Sequence, residues 1–263
     1  MNEFIYEDRE ESDPYISNKR AGQAWGQVVE GFPAPKECWQ GNQVLNFIPM
    51  DKCYKNNPSS VKFVETYFGN AKPLNIDSEV LRFASDTANQ INLNDGVYIE
   101  MGVGSGKSIN FIANLNPRKE IYGFDSFEGL PDDWNTRKDF HIPKGSFKLN
   151  KDLEYPPIVN NVRLMKGLFR DTLPIFKNIT LKEKPISFIH VDCDLYESAK
   201  DVFDFLEGNI VSGTIIVFDE FYNYEGHEND EFRAFQEFLH QSGKKAEYIA
   251  FNQNWEQAVV KIL

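Results

Sequence analysis

Two apolar runs close this chain, 246–251 and 257–262, and only Asn252-Gln253-Asn254-Trp255-Glu256 separates them. Parallel neighbours need a dozen or more connecting residues, so two strands joined this tightly must run antiparallel. From Asp77 to Gln241 a different rule holds: apolar runs alternate with helical patterns, as in strand–helix units that build a parallel sheet. The spacing predicts a helix over 77–90, a strand over 96–101, a helix ending near 114 and a strand over 120–124. An aperiodic loop region, 125–160, precedes a strand over 161–166 and a short helix over 171–177. A strand over 186–191, a helix over 196–207, a strand over 213–218 and a helix over 228–241 complete the run. The expected class is α/β, a mostly parallel sheet closed by a C-terminal antiparallel hairpin.

Residues 1–76 follow neither rule. Pro14, Pro33, Pro35, Pro49, Pro58 and Pro73 punctuate aromatic patches such as Trp25, Phe32 and Trp39. The segment reads as an irregular or short-helical extension too aromatic for a disordered tail, and so as a lid, an arm or a dimer contact. Residues 77–263 form the domain that carries the chemistry, and a homodimer is the expected assembly. The formal charge of −12 argues against nucleic acid, whose binding depends on Lys and Arg neutralising phosphates. One locally basic stretch, Arg137 to Lys151, could meet a phosphate or simply form a solvated loop. Cys38, Cys53 and Cys193 are too scattered for a metal cluster and odd in number, which suits a reducing cytoplasm. The acidic start lacks the features of a signal peptide, and no apolar run approaches the ~20 residues that span a bilayer.

The first strand of the domain ends in Glu100-Met101-Gly102-Val103-Gly104-Ser105-Gly106-Lys107-Ser108. Gly-Ser-Gly-Lys-Ser echoes an ATPase phosphate loop, and Ile215 to Glu220 looks like the acidic strand such an enzyme uses to hold magnesium. That loop, however, needs a glycine five positions before Gly106, where this chain has Met101. Glu100 would also stand as a negative charge beside a triphosphate. The same residues suit S-adenosylmethionine: Glu100 meets its ammonium and sulfonium, Gly102, Gly104, Ser105 and Gly106 turn tightly under it, and the helix N-terminus receives its carboxylate. Lys107 then falls on the surface. Asp125, at the end of the next strand, occupies the slot for an acid that accepts the ribose hydroxyls, although an acid there could instead cap a helix. With the terminal hairpin, this is the pattern of the class I methyltransferase, Rossmann-like sheet.

A second set of acids ends the fourth and fifth strands: Asp192 and Asp194, then Asp219 and Glu220. The carboxyl ends of neighbouring parallel strands face one crevice, so Asp192, Asp219 and Glu220 converge near the transferable methyl. Like charges gathered there call for a hard divalent cation, magnesium above all. Asp194 is better placed to cap the following helix. His190 reads as a buried strand residue, whereas His227, in a polar loop past the acidic pair, could act as a base or face water. Asp192 or His227 would take the proton of an acceptor hydroxyl. The loop from Trp134 to Tyr155 and the N-terminal aromatics are candidate acceptor walls. A P-loop ATPase and a non-catalytic cofactor-binding protein are the rival readings.

Three further segments carry a family resemblance: Asp125-Ser126-Phe127-Glu128-Gly129-Leu130-Pro131, Lys166-Gly167-Leu168-Phe169-Arg170-Asp171-Thr172-Leu173-Pro174 and Asp192-Cys193-Asp194-Leu195-Tyr196-Glu197-Ser198. With the glycine loop they resemble the macrocin O-methyltransferase family, magnesium-dependent enzymes that methylate sugar hydroxyls of natural products. The resemblance implies a cation on Asp192, Asp219 and Glu220. It further implies a cofactor held by Glu100, Gly102, Ser108, Asp125, Ser126 and the turn Gly167-Leu168-Phe169. The family usually has two aspartates where this chain has Asp219-Glu220, and the segment from Phe221 to His227 does not match it. The implied acceptor is a small molecule, a sugar or another vicinal diol.

Overall fold

The computed structural model describes residues 52–138, 141–149 and 153–263. Cys38 and the N-terminal aromatics Trp25, Phe32 and Trp39 lie outside them. Eight strands form one sheet: β1 (Lys72–Leu74), β2 (Val97–Met101), β3 (Ile121–Asp125), β4 (Val162–Lys166), β5 (Ile186–Val191), β6 (Ile215–Phe218), β7 (Ala246–Asn252) and β8 (Ala258–Ile262). Their order is β1-β7-β8-β6-β5-β2-β3-β4. The β6–β8 and β7–β8 pairs are antiparallel and the others parallel. The hairpin predicted from its short connection is therefore present. It sits inside the sheet, because β1 adds a parallel strand beyond it, and the sequence pattern did not anticipate that strand.

Six α-helices accompany the described strands: α1 (Pro58–Phe63), α2 (Asp77–Ile91), α3 (Lys107–Leu115), α4 (Phe169–Phe176), α5 (Tyr196–Leu206) and α6 (Glu231–Ser242). The two-residue period of a strand sends alternate side chains to opposite faces. On β2, Ile99 and Met101 join one core with α4, α5 and α6, while Tyr98 joins the other with α2 and α3. Helix α2 shows why these residues are helical. Asp77 and Glu79 lie in its first turn, where carboxylates favour the dipole, and Asn92 closes it in the left-handed region at φ 51°. Its buried Val80, Leu81, Ala84 and Ala88 recur at the helical period against the sheet.

Residues 54–74, assigned by sequence to the extension, are built into the domain. Phe63 and Phe68 are buried in the first core, and β1 pairs with β7. The loop region 125–160 also has structure: Trp134 bridges Ile142, and Leu130, Trp134, Ile142, Leu195 and Tyr224 form a third small core.

Candidate active site

Three glycines shape the loop after β2, with φ of 92° at Gly102, 50° at Gly104 and 84° at Gly106. A Cβ on Gly102 would come within 1.6 Å of the Asp192 carbonyl oxygen, whereas one on Gly104 would meet nothing within 4 Å. Gly102 thus serves the packing of loop against β5, and Gly104 opens onto free space. The Asp125 carboxylate braces the same loop. Its Oδ2 accepts the Val103 and Gly104 amides at 2.8 and 2.7 Å, and its Oδ1 accepts the Phe127 amide at 2.6 Å. Asp125 therefore caps no helix, and an ionised carboxylate retains lone pairs for a ribose hydroxyl.

The other predicted cofactor residues lie around this loop. Ser126 Oγ accepts the Glu128 amide at 3.1 Å and donates to the Gly129 carbonyl at 3.3 Å. Ser105 is buried, and its hydroxyl has no partner among the described residues. The Gly167 amide donates to the Asp125 carbonyl at 2.9 Å, which ties the turn after β4 to the end of β3. Leu168 is exposed there, while Phe169 starts α4 and packs on the first core.

Lys107 is buried, not a surface residue, and burial pushes its pKa down to about 7 although Asp77 pulls the other way. Asp194 does not cap α5. Leu195 holds that position without a side-chain bond, and Asp194 adopts φ 63° with its carboxyl pushed up to about 7 by burial, against the pull of Arg137.

Glu100 points into the protein. It is fully buried, its Oε1 accepts the Ser108 hydroxyl at 2.8 Å, and its Oε2 lies 3.3 Å from His190 Nδ1. In the β2–β5 ladder Glu100 and His190 are register partners, which puts both on the same sheet face. His190 Nε2 lies 3.6 Å from Asp219 Oδ1, yet neither ring nitrogen has a hydrogen bond of good geometry. Burial disfavours the imidazolium, but Asp219 and Glu100 outweigh it and raise the His190 pKa well above the usual imidazole range.

His190, Asp192 and Asp219 each bring a ligand atom within 4.8 Å of the others. Among the described residues this compact group takes in His190, which was read as a strand residue, and leaves out Glu220. Asp192 is raised well above the usual carboxylate range by burial and then by Asp219. Burial also pushes Asp219 up, but His190 and Gln257 pull it lower still, and Gln257 Nε2 donates to its Oδ1 at 2.6 Å. Glu220 is raised by burial and by the neighbouring Asp219, Asp194 and Asp192, and among the described residues its Oε2 has no partner. Carboxylates gathered at the ends of adjacent strands, with Glu220 Oε2 unpaired among the described residues, fit a hard divalent cation.

The structure does not gather His227 with these acids. Its Nδ1 donates to the Tyr224 carbonyl at 2.8 Å, and its ring stands edge-on to Phe63 at 4.9 Å. The sequence placed Trp134 in a candidate acceptor wall without showing how the segment to Arg137 is fastened. Trp134 Nε1 donates to Asp230 Oδ2 at 2.9 Å, and the Thr136 hydroxyl donates to the other Asp230 oxygen. Arg137 grips the buried Glu256 through two bonds of 2.9 and 2.7 Å, so the supposed basic phosphate contact is internally paired. Sequence reasoning missed Asp77. It accepts Asn252 Nδ2 at 3.1 Å, and burial and Asp219 raise its pKa.

Comparison with known proteins places these features in context. The sequence profile of the family described as Macrocin-O-methyltransferase (TylF) matches residues 78–250. An 8-demethyl-8-(2,3-dimethoxy-alpha-L-rhamnosyl)-tetracenomycin-C 4'-O-methyltransferase from Streptomyces olivaceus is 28% identical over 150 residues, 49% of this chain and 55% of the relative. The chain thus spans about half the length of the curated relative it matches. Among solved structures, the calicheamicin methyltransferase CalS11 superposes with a TM-score of 0.55 at 19% identity, covering 92% of this chain and 91% of that one. The O-methyltransferase NovP gives 0.54 at 19% identity over 70% and 78% of the two chains. These two likenesses establish the fold.

Proposed function

The chain belongs to the macrocin O-methyltransferase family, and on that premise we propose that it transfers the methyl group of S-adenosylmethionine to a hydroxyl of a sugar or another vicinal diol. The observation that carries the proposal is the meeting, at adjacent strand ends, of a glycine loop open above Gly104 and the group His190, Asp192 and Asp219. The donor would lie on Gly102 to Ser108, with its ribose at Asp125 and Ser126 and its base toward the turn Gly167 to Phe169. The helix N-terminus at Lys107 favours its carboxylate.

Asp192, Asp219 and Glu220 would hold a divalent cation, magnesium by preference. Bound there, the cation lowers the pKa of an acceptor hydroxyl and orients it. The chain's own residues do the rest. Asp192 takes the hydroxyl proton as the oxygen–methyl bond forms and the sulfur–methyl bond breaks. Alignment of oxygen, methyl and sulfur is the main demand, because the sulfonium is already an activated leaving group. His227, with its Nδ1 turned to the Tyr224 carbonyl and its ring against Phe63, is the alternative base. The segment from Trp134 onward, fastened to Asp230 and Glu256, forms one wall for the acceptor. The rhamnosyl group in the name of the Streptomyces olivaceus relative supports a sugar acceptor. Free Cys53 and Cys193 suit a cytoplasmic setting.

A methyltransfer screen over nucleotide-linked sugars, glycans and catechol-like diols tests the reading. Turnover with at least one sugar, abolished by a chelator and by Asp219→Ala while S-adenosylhomocysteine still binds, is the expected result. Turnover that survives chelation would remove the cation, and ATP binding in place of S-adenosylhomocysteine would restore the ATPase reading.

A further inference from the structure

We propose that the buried line Ser108–Glu100–His190–Asp219 couples the two halves of the site, so that the methyl donor and the divalent cation bind cooperatively. The inference rests on the reading of the glycine loop as a donor site and of the strand-end acids as a cation site. It adds an energetic link between them.

The centre of the line, Glu100 and His190, is shielded from water. Ser108, in the first turn of α3, donates to Glu100 Oε1 at 2.8 Å. Glu100 and His190 are 0% and 1% exposed, and the second carboxylate oxygen faces the ring at 3.3 Å. The opposite ring nitrogen faces Asp219 at 3.6 Å. Asp219 is held from its far side: Gln257 Nε2 donates to it at 2.6 Å, and Gln257 Oε1 accepts Asn252 Nδ2 at 2.8 Å. Both ends of the line are therefore anchored, one to the donor loop and the other to the C-terminal hairpin.

His190 is the adjustable member. It stands between two carboxylates and completes a well-formed hydrogen bond to neither. A group shared by two partners is a two-state element that each partner can bias. A cation on Asp192 and Asp219 draws Asp219 out of that competition. The ring is then left to Glu100, whose other oxygen fixes Ser108 and with it the turn after Gly106. That turn presents its amides to the donor, so cation and donor each favour the arrangement the other uses. Linkage makes the effect reciprocal, and couplings of this kind usually amount to 5- to 150-fold in affinity, roughly.

Titration calorimetry of S-adenosylhomocysteine, with magnesium chloride or with a chelator, measures the coupling. Because its sulfur is neutral, this probe avoids direct repulsion between cation and sulfonium. Magnesium is expected to tighten binding to the natural chain by about fivefold or more. In Ser108→Ala and in His190→Asn that factor falls toward one, whatever each substitution does to the affinity for either ligand alone. Ser108→Ala keeps the test decisive should the buried histidine variant fail to fold. The coupling is overturned if the natural chain binds both ligands independently, or if Ser108→Ala retains the full magnesium effect. A natural chain that binds no S-adenosylhomocysteine, or no magnesium, would instead refute the underlying donor or cation reading and the coupling with it.

Discussion

Gly102 and Gly104 are two residues apart and do different work. A side chain at Gly102 must enter the Asp192 carbonyl at φ 92°. Gly102→Ala should therefore cost on the order of 4 kcal/mol, from overpacking and a disfavoured backbone together. At Gly104 the surrounding space is open and only φ 50° opposes a side chain, so Gly104→Ala should cost only ~1–2 kcal/mol. Its methyl nevertheless stands where the donor would lie, and S-adenosylhomocysteine affinity should drop at least tenfold, roughly the effect of 1.4 kcal/mol. Urea unfolding beside calorimetry separates the two, and equal stability losses would refute the distinction. The sequence located both glycines, but their separate reasons depend on the end of β5, ninety residues later in the chain. His190 was opaque for the same cause. In Ile186 to Val191 it looks like one of two polar residues in a buried strand, and only the register with Glu100 reveals its partner.

At the scale of elements, local pattern predicted what local physics decides. Helix α2 was legible from its acidic first turn and apolar period, and the C-terminal hairpin from the shortness of its connection. Strand β1 was not, because three residues containing Pro73 carry no pattern of their own and are ordered by pairing with β7. Arg137 reads in sequence as the start of a basic loop, yet it is spent on Glu256, which lies in the hairpin connection and also accepts Lys52 at 2.6 Å. Removing one partner of a buried pair strands the other charge. Arg137→Ala should destabilise the protein by roughly 3 kcal/mol, with Lys52 sparing part of the loss, and Glu256→Gln in the same chain should restore much of it. A double-mutant cycle by urea unfolding measures this, and additive single effects would count against the latch. The same Arg137→Ala variant should raise the acceptor KM more than it lowers kcat if the segment from Trp134 forms the acceptor wall.

Over the whole molecule the formal charge of −12 is unevenly placed, since several carboxylates lie buried at one edge of the sheet. Burial raises Asp192, Asp194, Glu220 and Glu231, with Asp194 pushed up to about 7. A carboxyl whose pKa is higher folded than unfolded binds more protons in the native state, so its contribution is fully present below the unfolded pKa near 4 and is lost as pH rises through the folded value. Metal-free protein should therefore lose stability between about pH 4 and pH 7, and Asp194→Asn should flatten that slope by on the order of 2 kcal/mol. An equal slope in the variant would refute the assignment to Asp194. A bound cation supplies the missing charge, which joins the pH behaviour to the proposed function. At pH 7.5, magnesium at a hundred times its Kd should stabilise the protein by ~2.7 kcal/mol and raise Tm by about 5–10 °C. Asp219→Ala should abolish that rise. A scanning-calorimetry series in magnesium checks it, and a Tm shift of the same size in Asp219→Ala would place the cation elsewhere on this acidic surface.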